Sequence, residues 1–295
     1  KDFAVKMFEE NEVVITYNPR DEKIKSNWSS FLGIKDAECC LLRYSIPLIR
    51  RGNQYWFIHK TMRDYLIASA FMESCEPTLH TALFNKHLFV SEHGVRQFLV
   101  EFIQQKKSYI QKLSSFINSS KNDDNAQIAS ANAITILMQA GVPLKNLNLT
   151  DSNISGADLS NVVFDNLQLA RAKLNNVNFQ NAKLRYTNLQ DSSSQNANFK
   201  GADLSSANLQ NAIFNNADFQ NANFNGADLL SADFQNTILN NANFQNAKLL
   251  NTNLRNSFSQ NANFKGADLS FANFHNAIIQ DASFYDSCLK DVNFE

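Results

Sequence analysis

The chain has 295 residues, 27 Lys and Arg against 28 Asp and Glu, and a formal net charge of −1. Near-neutrality leaves no global basic or acidic field to point at nucleic acid, and the length is ample for two domains. Cys39 and Cys40 are adjacent and Cys75 and Cys288 lie far off, so the four cysteines form neither a disulfide framework nor a zinc spacing. That usage suits a reducing compartment. No signal peptide opens the chain and no apolar run approaches a membrane span, so the expected location is cytoplasmic, away from membranes. The first residue is Lys1, and the last repeat runs to Glu295 without a cap, so the chain reads as a fragment of a longer protein.

Residues 1–125 read as a mainly helical, winged-helix-like domain. Ser45–Arg51 and Gln54–His59 flank Gly52-Asn53, the pattern of a β-hairpin. Apolar spacing predicts helices over Lys60–Glu73, Thr78–Leu88 and Val95–Ile117, with a fourth over Ala126–Ala140. Between the last two, residues 118–125 (NSSKNDDN) carry turn chemistry and read as a mobile loop with solvated charges at Asp123 and Asp124. The helix over residues 126–140 runs into the repeat that follows and is placed to cap its open end.

The eight glycines offer no Gly-x-x-x-x-Gly-Lys spacing, so no phosphate cradle can be built. His59 with Asp64 could form an acid–base pair, but their apolar surroundings favour a structural histidine. His80, His87 and His93 are too loosely spaced to favour a metal site. No nucleophile–base constellation is visible. The chain reads as a non-enzyme without cofactor or metal.

From Gly141 to Glu295 an apolar slot recurs every five residues. Of its 31 occupants, 15 are Leu, 12 Phe and 2 Ile, and only Ser194 and Ser259 are polar. A small residue, most often Ala, stands two places earlier. Neither a 3.6-residue nor a 2-residue period fits, so the segment is a solenoid whose units bury their faces against one another. Reading every twentieth residue gives Leu149, Leu169, Leu189, Leu209, Leu229, Leu249, Leu269 and Leu289, all Leu, which argues for twenty residues per coil. A block is also duplicated: Ser194–Phe214 matches Ser259–Ile279 at 17 of 21 positions, offset by 65 residues.

The units Gly156-Ala157-Asp158-Leu159-Ser160, Gly201-Ala202-Asp203-Leu204-Ser205 and Asn221-Ala222-Asn223-Phe224-Asn225 resemble those of the pentapeptide repeat proteins. The resemblance covers residues 141–295. It implies an all-β, right-handed quadrilateral β-helix of about eight coils, following the small helical domain with its hairpin. Upstream, residues 55–68 (YWFIHKTMRDYLIA) are similar to the region following the ATPase core in NACHT-type STAND NTPases. That similarity implies an upstream NTPase and a sensing or inhibitory role for the repeat.

The expected function is a protein-interaction or sensing module acting through the β-helix surface. Ile238, Phe258 and Ile278 stack twenty apart at an outward slot; Leu230 and Leu250 stack on another face with Phe271 one coil along. These six are the candidate interface for a protein partner or for self-association. Ile279, Phe284, Leu289 and Phe294 are expected to lie open at the last coil, where a C-terminal end-to-end homodimer could form. Two alternatives stand beside this reading. One is a DNA mimic that inhibits a topoisomerase such as gyrase, disfavoured because residues 145–295 carry 13 acidic and 10 basic side chains, a net of −3 scattered over all faces. The other is a scaffold for an enzyme domain outside this chain.

Overall fold

The computed structural model describes residues 1–17, 28, 31, 48–73, 84–143 and 148–295. They form two compact units, Lys1–Gln105 and Lys106–Glu295, a division ahead of the expected one at 125.

In the first unit, α1 (Asp2–Glu9) buries Phe3, Ala4, Met7 and Phe8. A three-stranded antiparallel sheet follows, made of β1 (Ile15–Thr16), β2 (Leu48–Arg51) and β3 (Gln54–Phe57) in the order β1-β3-β2. The expected hairpin is β2–β3, with Arg51 opposite Gln54 across Gly52-Asn53. Gly52 adopts φ +64°, as the tight turn requires. Residues 45–47 of its first arm lie outside the described residues. Helix α2 (Lys60–Glu73) has the expected bounds and packs against α1 and α3 (His93–Gln105). Phe8, Phe71, Phe84 and Phe89 meet edge-on or tilted in the core between them. The helix expected over Thr78–Leu88 falls partly on residues 78–83, outside the described residues; its remainder, from Asn85, is turn.

The helix expected over Val95–Ile117 is two helices, α3 and α4 (Ser108–Ser119), parted at Lys106-Lys107 in the polar run Gln104-Gln105-Lys106-Lys107. That break is also the boundary between the units. Helix α5 (Gln127–Gln139) is buried nearly all round, from Ala129 to Leu137, as a helix covered on several sides must be.

The β-helix supplies one parallel bridge per pentapeptide, each between residues twenty apart, from Asn153↔Lys173 to Asn273↔Asn293. Its backbone bonding explains the repeat slot by slot. The inward residue donates to the next coil (Phe199 N–H to Asp218 O, 2.7 Å), as does the residue two places on (Gly201 to Gln220 O, 2.8 Å). The small residue closes a turn (Ala202 to Phe199 O, 2.9 Å) and the residue after it donates to the coil before (Asp203 to Ala182 O, 2.9 Å). The fifth amide, just after the inward residue, has no backbone partner, and a side chain takes it: Ser205 N–H donates to Asp203 Oδ1 at 3.1 Å. Every Asn or Asp in that pre-inward slot, 18 residues from Asn148 to Asn293, accepts the amide two places on. Asn and Asp are therefore selected there by hydrogen bonding, not merely by solvent.

A second rule governs the corner. The residue two after each inward one has positive φ at every unit from Asp151 to Asp291, between +54° and +84°. Asn, Asp and Gly fill 24 of these 29 positions because they tolerate the left-handed region. Arg171, Tyr186, Ser206, Ser231 and Phe271 are the exceptions.

Inside, stacked rings repeat the coil spacing: Phe224–Phe244 at 4.6 Å, Phe244–Phe264 at 5.0 Å and Phe264–Phe284 at 5.1 Å between centroids. The first coil lacks a coil beneath it, and helices α4 and α5 supply the missing acceptors. Asn153 N–H donates to Ser120 Oγ (3.1 Å) and Asp158 N–H to Thr135 Oγ1 (3.0 Å). Gln127 Nε2 also bonds Ser155 O. The edge is thereby covered. The loop between α4 and α5 is pinned, contrary to its expected mobility: Asp123 caps a 3-10 turn over Asp124–Ala126, and Asp124 accepts from Lys173 Nζ at 2.7 Å. Asp124 is thus an ion-pair partner rather than a solvated charge.

Candidate interaction surfaces

The column that ends in Ile238, Phe258 and Ile278 begins as a polar ladder. Asn178 Nδ2 donates to Asp158 Oδ1 and Asn198 Nδ2 to Asn178 Oδ1, both at 3.0 Å. Asp218 comes next and, as a carboxylate, cannot donate onward. Above it the column turns apolar: Asp218 bridges Ile238, Ile238 bridges Phe258, and Phe258 bridges Ile278. Ile238 is half-buried, whereas Phe258 and Ile278 are 45% and 44% exposed. The three expected residues are brought together on one face, on consecutive coils. The replacement disturbs the backbone and is partly repaired: Gln260 N–H, deprived of an Asx acceptor at 258, donates to Asn240 Oδ1 at 3.0 Å. On another face the ladder continues unbroken, through Asp203, Asn223, Asn243 and Asn263 at 3.0 Å each.

Leu230 and Leu250 lie one coil apart and are half-buried, with their carbonyls accepting from Asn211 and Ser231. Phe271 is 49% exposed, has φ +59° and lies under Lys290 Nζ, 5.6 Å from the ring centroid. This group adjoins the face of inward Leu229 and Leu249, and the first stripe adjoins that of Leu239. Those faces are ten residues, half a coil, apart. The two apolar groups are accordingly on opposite sides of the β-helix and do not form one patch.

At the last coil Ile279 and Phe284 are half-buried, and Leu289 and Phe294 are 42% and 45% exposed. Leu269 and Phe274, one coil earlier, are 0% and 1% exposed. Sequence reasoning missed other exposed apolar side chains, namely Val163, Tyr186, Ile213 and Tyr285. Tyr186 could have been found as an aromatic residue in the left-handed corner slot. Tyr285 sits beneath Lys265 Nζ at 5.3 Å.

Charge on the β-helix is locally neutralised. Arg171 pairs with Asp151, Arg185 with Asp165, Lys200 with Asp218 and Lys248 with Asp228, each pair one coil apart or nearly so. Hydrogen bonds from Arg185 hold the Asp165 carboxyl below the ordinary carboxylate range, and the Ser270 hydroxyl does the same for Asp268.

In the first unit His59 is exposed while Asp64 is buried. Asp64 accepts from Arg63 Nε at 3.1 Å, and Arg63 NH2 reaches Glu92 at 2.9 Å. Burial raises the Asp64 pKa against the pull of Arg63. The carboxyl packs on Gly94, where an added Cβ would collide with it. These contacts make a buried structural network. A cavity of about 400 Å³ nearby is lined mainly by Val13, Val14, Trp56 and Phe57, with Lys60 and Arg63 at its edge. Among the described residues no group of three or more His, Cys, Asp or Glu could hold a metal ion. No described helix is long and apolar enough to cross a membrane.

Two family models match the repeat: a pentapeptide repeat region over residues 168–244, and pentapeptide repeats in eight copies over residues 144–181 and 260–295. No curated protein matches the chain. Among solved structures, HetL, a pentapeptide repeat protein involved in heterocyst differentiation regulation in the cyanobacterium Nostoc sp. strain PCC 7120, is 28% identical. The match covers 48% of this chain and 71% of HetL, with a TM-score of 0.18. A pentapeptide repeat protein of the Arabidopsis thaliana thylakoid lumen is 30% identical over 34% of this chain and 67% of its own, with a TM-score of 0.21. QnrB1, a plasmid-mediated fluoroquinolone resistance protein, is 22% identical over 46% of this chain and 88% of its own, with a TM-score of 0.25. With its five-residue bonding pattern, its twenty-residue coils and both family models on residues 144–295, this chain belongs to the pentapeptide repeat proteins.

Proposed function

We propose that the β-helix is a protein-interaction module and that Ile238, Phe258 and Ile278 form its contact stripe. The observation that carries this reading is the interrupted ladder. Three consecutive coils forgo the Asn or Asp that the backbone uses elsewhere and present apolar side chains to solvent instead. Exposed apolar surface of this kind serves contact. Leu230, Leu250 and Phe271 offer a second, smaller contact on the opposite side. The open last coil, with Leu289 and Phe294 exposed, suits an end-to-end homodimer. The similarity of residues 55–68 to STAND proteins places the module, in this proposal, within a larger NTPase as a sensor or lid in the cytoplasm. The ion pairs across coils speak against DNA mimicry, because they neutralise the acidic side chains that would have to imitate phosphates.

The test places a photo-crosslinking benzoylphenylalanine at 258 or at 243, in the same chain expressed in its native cells, alongside sedimentation of the purified chain. Position 258 should crosslink a discrete protein or a second copy, and 243, within the intact ladder, should not. Equal labelling from both positions, with a monomer in sedimentation, would remove the proposal.

A further inference from the structure

The inward column Ile154, Leu174, Ser194, Phe214 and Phe234 has one polar member. Ser194, Leu174 and Phe214 are all fully buried. Ser192, in the small slot two places earlier, is fully buried as well. Seven hydroxyl residues occupy that small slot among the described residues: Ser152, Thr187, Ser192, Thr237, Thr252, Ser257 and Ser287. Five of them donate to the carbonyl of an inward residue. Ser152, Thr237 and Ser287 reach Leu149, Phe234 and Phe284 in their own turn, at 2.6–2.7 Å. Thr187 and Thr252 reach Phe164 and Leu229 in the coil before, at 2.9 and 3.0 Å.

The two exceptions are the two serines followed by an inward serine. Ser257 Oγ turns to Ser259 Oγ, 3.2 Å away. Ser192 and Ser194 find no protein partner at all. Buried hydroxyls without partners are costly, and native proteins satisfy them with protein or ordered water. Space is present for the second solution. Serine has two side-chain heavy atoms fewer than leucine and five fewer than phenylalanine, between a Leu and a Phe in the column. The room left suits one water, which takes ~30 Å³ in the liquid. Apolar voids stay dry, but a site with two to four polar partners does not. Ser192 and Ser194 supply two, and the Leu189 carbonyl, which accepts from Ser192 N–H at 3.1 Å, retains a lone pair for a third.

We propose that Ser192 and Ser194 bind a single water molecule inside the β-helix, hydrogen-bonded to both hydroxyls. The second serine pair, at 257 and 259, closes on itself and has less need of one. The duplicated block therefore carries the same residues with two different solutions, one on each face.

The test uses the full chain in an atomic-resolution crystal structure, and water relaxation dispersion in solution to count long-lived internal waters. Density should appear within hydrogen-bond distance of both Ser192 Oγ and Ser194 Oγ. Ser194→Leu, which restores the residue of neighbouring Leu174, should lower the count by one and raise the β-helix melting midpoint by about 2–4 °C. Ser192→Ala should leave the fold intact and shorten the residence time of the water, a readout that survives if the Leu variant misfolds. A dry site with Ser192 Oγ donating to the Leu189 carbonyl overturns the proposal. So does a count unchanged by both substitutions.

Discussion

Replacing Ile238, Phe258 and Ile278 together by Asn separates what folding needs from what the surface is for. Phe258 and Ile278 are a little under half exposed, so each retains about half of the ~1.5–3 kcal/mol of full burial. With half-buried Ile238, the loss is about 3 kcal/mol. Asn returns hydrogen bonds. Its Oδ1 can accept the Asn240 and Gln280 amides, and three ladder bonds can run from Asp218 upward, as they do through Asn223, Asn243 and Asn263. Gln260 gains nothing, being bonded already to Asn240. Five part-exposed bonds at the lower end of ~0.5–1.5 kcal/mol each return about 3 kcal/mol. Loss and gain cancel, and guanidinium denaturation should shift by less than about 1.5 kcal/mol. Association through the stripe should vanish. A destabilisation above about 3 kcal/mol would refute the argument, because the stripe would then hold the coils together. Unchanged association would mean that the stripe is decorative.

Tyr186 sits at φ +57° with its ring 62% exposed, so Tyr186→Asn should stabilise the β-helix by ~0.5–1 kcal/mol in chemical denaturation; a loss would show that the ring packs usefully. Gly266→Ala should cost ~1–2 kcal/mol or more, since the residue has φ +66° and its new Cβ would lie 2.6 Å from Asn246 Oδ1. Gly226→Ala, where the nearest atom is Ser206 Oγ at 3.6 Å, should cost less, and equal costs would discard the clash. The two units should also respond oppositely to acid. Asp165 and Asp268 have lowered pKa values, so their stabilisation is present above the unfolded value of about 4 and is lost as pH falls through the folded ones. Asp64 has a raised pKa, so its contribution is most favourable below about 4 and declines as pH rises through the folded value. Arg185→Gln should flatten the acid limb of the β-helix, and an unaltered pH profile would contradict the assignment.

The inward columns were legible because packing writes them directly: Leu149 to Leu289 stack without exception and Ser194 stands out against them. Helix α2 was legible to the residue, its apolar spacing ending where the pattern ends. The helix break at Lys106-Lys107 was not, because apolar spacing continues across it and no Pro or Gly marks it. Strand β1 holds two residues, too few for any period. The outward slots were read as polar skin, although their Asn, Asp and Gly have separate duties. Asn243 accepts a backbone amide, while Asn246, three places on, occupies the left-handed corner. Composition shows both as asparagine, and only the hydrogen bonds tell them apart.

Knowing those duties changes the weight of each exposed apolar residue. The pre-inward slot holds Val163, Ile213, Ile238, Phe258 and Ile278 where an Asx residue would serve the backbone. Val163 and Ile213 are isolated in their columns. Ile278 is the counterpart of Ile213 in the duplicated block, 65 residues on, so it can be inherited from a position that stands alone. Phe258 corresponds to Ser193, just outside that block, and Ile238 has no such precedent. The aromatic residue is therefore the one that duplication does not explain, and it lies between the other two. Phe258→Asn alone should abolish most of the association, Ile238→Asn less and Ile278→Asn least. A reversed order would move the contact from the stripe to the open last coil beside Ile278.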